Sequence, residues 1–257
     1  MKILIIAPHP DDELSGTGGL ILQSPKKDIF VVYATTGAHV LDHEQKAKRK
    51  KAVTKILKKL SVNHLFFLTF TQETLYAHLS ELYKKIAIII NKVKPDQIYV
   101  PAYEGGHIDH DACNLVLSEI KTPAIKYEYA MYNNYATIPH LFELIIREIL
   151  EHLPLSWSYR VSRPFIPSNQ KPFKLKMSKN ERQCKQALLD EYTNFMGAKR
   201  KNINNVSADY FRRMATHDYL KPPHGILPLG YEMSQKIPFK EFQKFAKHFY
   251  KQLNITK

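Results

Sequence analysis

Residues 3–13 read ILIIAPHPDDE, and this stretch decides how the chain can fold. The apolar run Ile3 to Ala7 enters a proline-rich turn, a pattern that predicts a short buried strand. His9 and the three acids at 11–13 follow at the carboxyl end of that strand, where open α/β sheets bind their ligands. Adjacent carboxylates repel one another unless a cation or a proton neutralises them. The stretch therefore predicts a divalent metal site.

A second cluster of the same kind follows a later apolar run. Residues 97–100 predict another short strand, which Pro101 ends. Residues 103–111 then read YEGGHIDHD, with two more histidines and further acids, and lead into a predicted helix. Imidazole and carboxylate are the usual ligands of catalytic zinc, which has three protein ligands and one open position. Two such clusters, each after a strand, predict one shared metal site.

Apolar runs and amphipathic segments alternate along the chain, which favours a parallel sheet with right-handed crossovers. We expect a Rossmann-like α/β fold with strand order 3-2-1-4-5, in which strands one and four, the two that precede the clusters, are neighbours. The expected organisation is one domain over 1–257, with a core at 1–200 and an extension at 201–257 whose strands and loops wall the pocket. The predicted strands are 2–7, 28–34, 64–68, 97–101 and 125–131. The predicted helices are 15–23, 44–60, 73–93, 109–120, 139–152, 179–200 and 239–253.

The two motifs together resemble those of the LmbE-like (PIG-L) family of metal-dependent de-N-acetylases. The resemblance covers most of residues 1–195 and includes a third motif-like segment, Lys185 to Tyr192. Members of the family remove acetyl groups from substrates that contain N-acetylglucosamine, among them glycolipids, glycopeptide antibiotics and thiol precursors. The resemblance implies a Zn²⁺-dependent hydrolase, and the ligand types leave Fe²⁺ open as the metal.

The resemblance also implies roles for single residues. His9, Asp12 and His110 are the implied metal ligands. Asp11 is the implied general base, which takes a proton from a metal-activated water as that water attacks the acetamide. His107 is the implied acid or oxyanion stabiliser.

Four residues are candidates for contact with a substrate: Arg49, Asp109, Arg213 and His224. Arg49 lies on the apolar face of a predicted helix and therefore needs an acidic or substrate partner, unless its side chain extends to the rim. The resemblance favours contact with a substrate hydroxyl. Asp109 stands between two histidines and could orient one of them by a hydrogen bond. Arg213 and His224 belong to a polar, proline-fixed stretch, 212–225, that could be a lid or a plain surface loop.

The charge of the chain raises the question of an anionic partner. Lys and Arg exceed Asp and Glu by 14, and eight basic residues fall within Lys46 to Lys59. Such a face could attract an anionic substrate or could simply be solvated. We expect no nucleic-acid partner, because the acidic clusters would repel phosphate. The sequence has no run of about 18 apolar residues, and from its first residues we expect no leader segment. Two cysteines without a paired motif fit a cytoplasmic location.

Other classes of function remain open at this point. A dinucleotide-binding protein is disfavoured because the glycines at 16–19 lack the third glycine of GxGxxG. Two histidines with one carboxylate can also hold Fe(II) for oxygenase chemistry, although Asp11 as a neighbouring base favours hydrolysis. The main alternatives are a hydrolase of another small amide and a non-catalytic protein that binds anionic ligands with its metal pocket or its basic face. The sequence does not indicate an oligomeric state.

Overall fold

A computed structural model describes residues 1–24, 28–37, 43–131, 165–166, 168–196, 208–224 and 228–255. The strands in these residues are β1 Ile3–Ala7, β2 Ile29–Thr35, β3 His64–Phe70, β4 Gln97–Pro101, β5 Ile125–Tyr129, β6 Phe173–Lys176 and β7 Ala208–Arg213. The α-helices are α1 Asp12–Gln23, α2 His43–Lys59, α3 Leu79–Val93, α4 Ile108–Glu119, α5 Lys179–Met196, α6 Gly230–Ser234 and α7 Phe239–Gln252.

The seven strands form one sheet in the order β3-β2-β1-β4-β5-β7-β6. Strand β1 pairs in parallel with both β2 and β4, so the predicted α/β fold and its order 3-2-1-4-5 are confirmed. The two later strands join the edge beside β5 in antiparallel pairs. Within the described residues, no helix has both the length and the apolar character needed to cross a membrane.

Several boundaries differ from the predicted ones: α1 begins at Asp12 rather than at residue 15, and β3 ends at Phe70 rather than at residue 68. The predicted helix 73–93 is wrong at its start, because a 3₁₀ turn at Leu75–Ala77 precedes α3, and Glu73 has a positive φ of 63° that no α-helix accepts. The predicted strand 125–131 ends at Tyr129. The predicted helix 139–152, the last residues of 179–200 and the end of the stretch 212–225 lie outside the described residues.

The core has two apolar layers, one on each face of the sheet. Successive side chains of a strand point to opposite faces, so Leu4 and Ile6 of β1 pack with α3, α4 and α7, while Ile3 and Ile5 pack with α1, α2 and α5. Both faces of β1 are therefore buried, which explains why this strand is apolar throughout. The polar residues that follow β1 lie at the carboxyl ends of the parallel strands.

A buried ion pair attaches α1 to the end of the fold. The Lys185 ammonium of α5 donates to Asp209 Oδ1 at 2.7 Å and to the carbonyl of Ser15 at 2.9 Å. The second carboxylate oxygen of Asp209 accepts the Leu20 N–H at 3.1 Å. Both side chains of the pair are inaccessible to solvent. Helix α1, which starts at the first acidic motif, is thus held by residues far along the chain.

Candidate metal centre

The turn between β1 and α1 separates the two adjacent aspartates. Asp11 precedes the helix with φ 103°, a left-handed conformation that is uncommon for any residue except glycine. Its N–H donates to Glu13 Oε2 at 2.9 Å, which holds this conformation. Asp12 begins the helix, is fully buried, and accepts the His9 N–H at 2.8 Å through Oδ2. Asp11 and Asp12 are therefore in different environments, one half-buried and one enclosed.

The second motif lies at the start of α4, beside the first because β1 and β4 are neighbours. His107 caps the helix, and its Nδ1 lies 3.2 Å from the Asp109 N–H. Its ring packs edge-on against His9, with the ring centroids 4.3 Å apart. His110 follows one turn later and is buried. The topology of the sheet thus brings the two histidine motifs together.

Three side-chain atoms of these motifs form a nearly regular triangle. His9 Nδ1 and His110 Nε2 each lie 3.2 Å from Asp12 Oδ2, and the two nitrogens are 3.4 Å apart. Bonds of about 2.1 Å to a tetrahedral zinc ion would separate any two ligand atoms by about 3.4 Å. The second oxygen, Asp12 Oδ1, is buried without a hydrogen-bond partner among the described residues. These donor types and spacings fit a divalent ion.

His107 provides an alternative to the carboxylate in such a set. One ligand atom from each of His9, His107 and His110 can be chosen so that all three lie within 4.8 Å of one another. This group could also hold a metal ion. His107 is less buried than the other two histidines. The more buried set therefore consists of His9, Asp12 and His110.

Charges and hydrogen bonds oppose the effect of burial on the pKa at His9 and Asp12. Burial alone would lower the pKa of His9, but its hydrogen bonds to Asp109 and Asp12 outweigh burial and raise the pKa to about 10. Burial would likewise raise the pKa of Asp12, and the charge and hydrogen bonds of His110 and His9 hold it well below the usual carboxyl value. Burial and the charge of Asp11 raise the pKa of Glu13 to about 8. The site therefore attracts a cation.

Asp109 connects the cluster to the loop after β3. Its Oδ2 lies 3.0 Å from His9 Nε2 and accepts the Glu73 N–H at 2.6 Å, while Oδ1 accepts the Leu75 N–H at 3.1 Å. The side chain is completely buried. Asp109 thus binds the ring nitrogen of His9 that points away from Asp12, an arrangement that orients a ligand histidine.

The other three residues predicted to contact the substrate are Arg49, His224 and Arg213, and their surroundings differ. Arg49 is half-buried, donates through Nη1 to the Gly37 carbonyl, and interacts electrostatically with Asp11. His224 is buried in the segment where Pro223 packs against Gly105 of the second motif. Arg213 is not brought to the site.

The position of Arg213 follows from the sheet register. Its side chain is exposed, and its backbone pairs with Tyr127 at the middle of β5, two residues before the carboxyl end of that strand. The two histidine motifs lie at the carboxyl ends of the parallel strands. Among the described residues, no hydrogen bond or ion pair joins the Arg213 side chain to the cluster, whereas the neighbouring Arg212 is buried.

Two residues near the site escaped the sequence interpretation. Glu73 lies in the loop after β3, where the polar residues 71–73 directly follow a strand and could have been suspected on that ground. Gln235 follows α6, and its amide nitrogen lies 2.6 Å from His107 Nε2. A single glutamine after a short helix gives no signal in the sequence.

Comparison with known proteins confirms the family resemblance over the first half of the chain. Residues 4–121 match the model of the PIG-L family, described as GlcNAc-PI de-N-acetylase. The probable N-acetyl-alpha-D-glucosaminyl L-malate deacetylase 2 of Bacillus subtilis (strain 168) is 36% identical over 125 residues, 43% of this chain and 56% of the relative. The diacetylchitobiose deacetylase of Thermococcus kodakarensis is 33% identical over 121 residues, 42% of this chain and 45% of the relative. The chain thus matches about half the length of these curated relatives.

Solved structures support the fold over a longer span. A deacetylase in complex with teicoplanin superimposes with a TM-score of 0.59 at 12% identity, over 85% of this chain and 100% of that one. The A40926 pseudoaglycone deacetylase gives a TM-score of 0.58 at 14% identity, over 84% of this chain and 99% of that one. At these identities the likeness concerns the fold.

Proposed function

We propose that this protein is a metal-dependent de-N-acetylase that hydrolyses the acetamide of an N-acetylglucosamine-containing small molecule or glycoconjugate. The observation that carries the proposal is the triangle of His9 Nδ1, Asp12 Oδ2 and His110 Nε2, whose edges of 3.2 to 3.4 Å suit one tetrahedral ion. The match of residues 4–121 to the PIG-L family, and the relatives named as deacetylases, support it.

His9, Asp12 and His110 would hold the ion. Two imidazoles and one carboxylate suit Zn²⁺ first and Fe²⁺ second. An ion bound there supplies Lewis acidity, which makes a water molecule more acidic and polarises the acetamide carbonyl. Asp109 keeps the His9 ring oriented for this role through the contact at its Nε2.

The remaining polar groups of the site move protons and bind the substrate. Asp11 takes the proton of the attacking water. Its left-handed turn directs its carboxylate away from that of Asp12, so that Asp11 is left for this role while Asp12 holds the ion. His107 donates a hydrogen bond to the oxyanion of the tetrahedral intermediate, from which the C–N bond breaks. The leaving sugar amine takes up the proton and acetate is released. Arg49, beside Asp11, contacts a hydroxyl of the sugar.

The basic helix supports an anionic substituent on the substrate. Helix α2 carries a face that includes Lys50, Lys51, Lys55 and Lys58, and Arg49 belongs to the same helix. A face of this charge raises the local concentration of anions at low ionic strength. The substrates to compare are therefore N-acetylglucosamine conjugates with a neutral and with a carboxylate-bearing aglycone.

Metal content and acetate release, measured together, test the proposal. Wild-type protein should hold about one zinc or iron per chain and release acetate from at least one of these conjugates. His110→Ala should lose both properties, and His248→Ala, at an exposed histidine outside the cluster, should keep both. A wild-type protein that neither holds nor can be reconstituted with a divalent metal would contradict the hydrolase assignment.

A further inference from the structure

Gln235 lies outside the two motifs, and its side chain contacts a histidine of the cluster directly. Its amide nitrogen lies 2.6 Å from His107 Nε2 and 3.1 Å from Glu73 Oε1, while its carbonyl oxygen accepts the Ile108 N–H at 3.1 Å. Gln235 lies beyond residues 4–121, the part of the chain that matches the family model.

The partners of the Gln235 amide fix its orientation. Ile108 presents an N–H and therefore requires the amide oxygen, and the carboxylate of Glu73 requires the amide NH₂. The second N–H of the same group then points at His107 Nε2. Rotating the amide by half a turn would set oxygen against the carboxylate and N–H against N–H, so that both of the other bonds would be lost.

This orientation determines which nitrogen of His107 carries the proton. A neutral imidazole has one donor and one acceptor nitrogen, so an N–H aimed at Nε2 makes Nε2 the acceptor and places the proton on Nδ1. The contact of Nδ1 with the Asp109 N–H, at 3.2 Å, is then the bond that is given up. The opposite tautomer would keep that bond but would set the Nε2 proton against the Gln235 N–H across 2.6 Å. That repulsive contact is closer than the one of 3.2 Å that the first arrangement leaves at Nδ1, so the first arrangement is favoured.

We propose that Gln235 is a positioning residue that holds the His107 ring with its proton on Nδ1 and its Nε2 lone pair occupied. An occupied Nε2 is unavailable as a metal ligand, so an ion is left with His9, Asp12 and His110. The N–H that His107 offers to the oxyanion is then the one on Nδ1. The catalytic consequence rests on the proposed function, whereas the tautomer does not.

The segment that carries Gln235 is anchored independently of its side chain. The Tyr231 N–H donates to the Gly105 carbonyl at 3.2 Å, and Leu229 is buried against Gly105. Substitutions of Gln235 should therefore leave the fold intact. Gln243 provides a matched control, because its amide donates to the Leu220 carbonyl at 2.7 Å within the same part of the chain.

The tautomer can be measured by imidazole ¹⁵N NMR on the metal-free protein, with the His107 signals assigned from their loss in His107→Gln. Wild type and Gln243→Leu should show the proton on Nδ1. Gln235→Leu should shift it toward Nε2, and Gln235→Glu, which replaces the donor by an acceptor, should shift it further. A proton on Nε2 in wild type, or the same tautomer in all variants, would overturn the proposal whether or not the protein is a deacetylase.

Kinetics then test the consequence for the reaction. Gln235→Leu should lower kcat by about 10- to 100-fold, the range typical of residues that orient a catalytic group, with KM nearly unchanged. Gln243→Leu should change neither constant. An unchanged kcat in Gln235→Leu would remove the catalytic part of the proposal. Absence of activity in wild type as well would count against the proposed function and leave the NMR result to decide the tautomer.

Discussion

Asp11 and Asp12 are adjacent in the chain, yet the backbone gives them separate chemistry. The left-handed φ of Asp11 turns the chain just before α1, and Glu13 holds that turn by accepting the Asp11 N–H. Asp12 is enclosed between two histidines, whereas Asp11 keeps contact with solvent. A base needs access to the attacking water, and a ligand needs a fixed position, so the two environments match the two proposed roles.

Asp11→Asn separates the two roles in an experiment. The amide is nearly isosteric but cannot take the proton, so we expect kcat to fall by about 10²- to 10⁴-fold while the metal content stays at that of wild type. Metal analysis and initial rates on the same preparation check both expectations. Asp12→Asn is the matched variant, and it should lose metal. Full turnover in Asp11→Asn would show that another group is the base.

At the scale of single elements, the packing of α1 requires a close approach of the helix to the sheet at Gly16. A Cβ on Gly16 would lie 2.2 Å from Tyr129 Cδ2 of β5, far inside van der Waals contact. Tyr129 cannot move aside easily, because it is buried and its hydroxyl donates to the Ile6 carbonyl at 2.9 Å. The glycine therefore permits the helix that carries Asp12 to start directly over the strands.

Gly16→Ala should consequently lower the free energy of unfolding by about 1 to 3 kcal/mol, the usual cost of an overpacked core site. Denaturant unfolding of the metal-free protein measures this change. Lys84→Ala, at an exposed position of α3, should stay within about 0.5 kcal/mol of wild type. A Gly16→Ala variant as stable as wild type would mean that Tyr129 can repack.

The sequence predicted those parts of the site that are local in the chain. HPDDE and HIDH each follow a strand directly, so the sheet order alone brings them together. Contacts from distant segments left no such pattern, as Gln235 illustrates. The start of the predicted helix 73–93 was wrong for the same reason, because buried Asp109 binds the N–H groups of Glu73 and Leu75 in a turn. Tertiary hydrogen bonds there outweigh helix propensity.

At the scale of the whole molecule, a buried charge network attaches the last strands to the parallel sheet. Glu128 of β5 accepts hydrogen bonds from Asn114 of α4 at 2.9 Å, from His217 at 2.7 Å and from Arg212 of β7 at 2.5 Å. The guanidinium of Arg212 also lies over the Phe165 ring, 4.6 Å from its centroid. None of these contacts could be predicted from the sequence, because they join four separate segments of the chain. Glu, Arg and Asn side chains are also usually exposed, so the sequence did not indicate that these would be buried.

This network makes the stability of the fold depend on pH in the acid range. Burial would raise the pKa of Glu128, but His217, Arg212 and Asn114 outweigh burial and lower it below the ordinary value of 4.5. A carboxyl whose pKa is depressed in the folded state stabilises the protein above its unfolded pKa. That contribution is lost as the pH falls from about 4.5 through the folded value, because the proton then binds the unfolded chain more tightly.

Glu128→Gln should therefore reduce stability at neutral pH and flatten its acid dependence. The amide leaves Arg212 buried without its counter-charge, which costs about 3 to 5 kcal/mol. Urea unfolding at a series of pH values measures both effects. Glu191→Gln, at a partly exposed pair with Lys59, should cost less than about 1 kcal/mol. If Glu128→Gln lost stability on acidification as steeply as wild type, the acid sensitivity would have to come from other carboxylates, and the network would hold the sheet together without sensing pH.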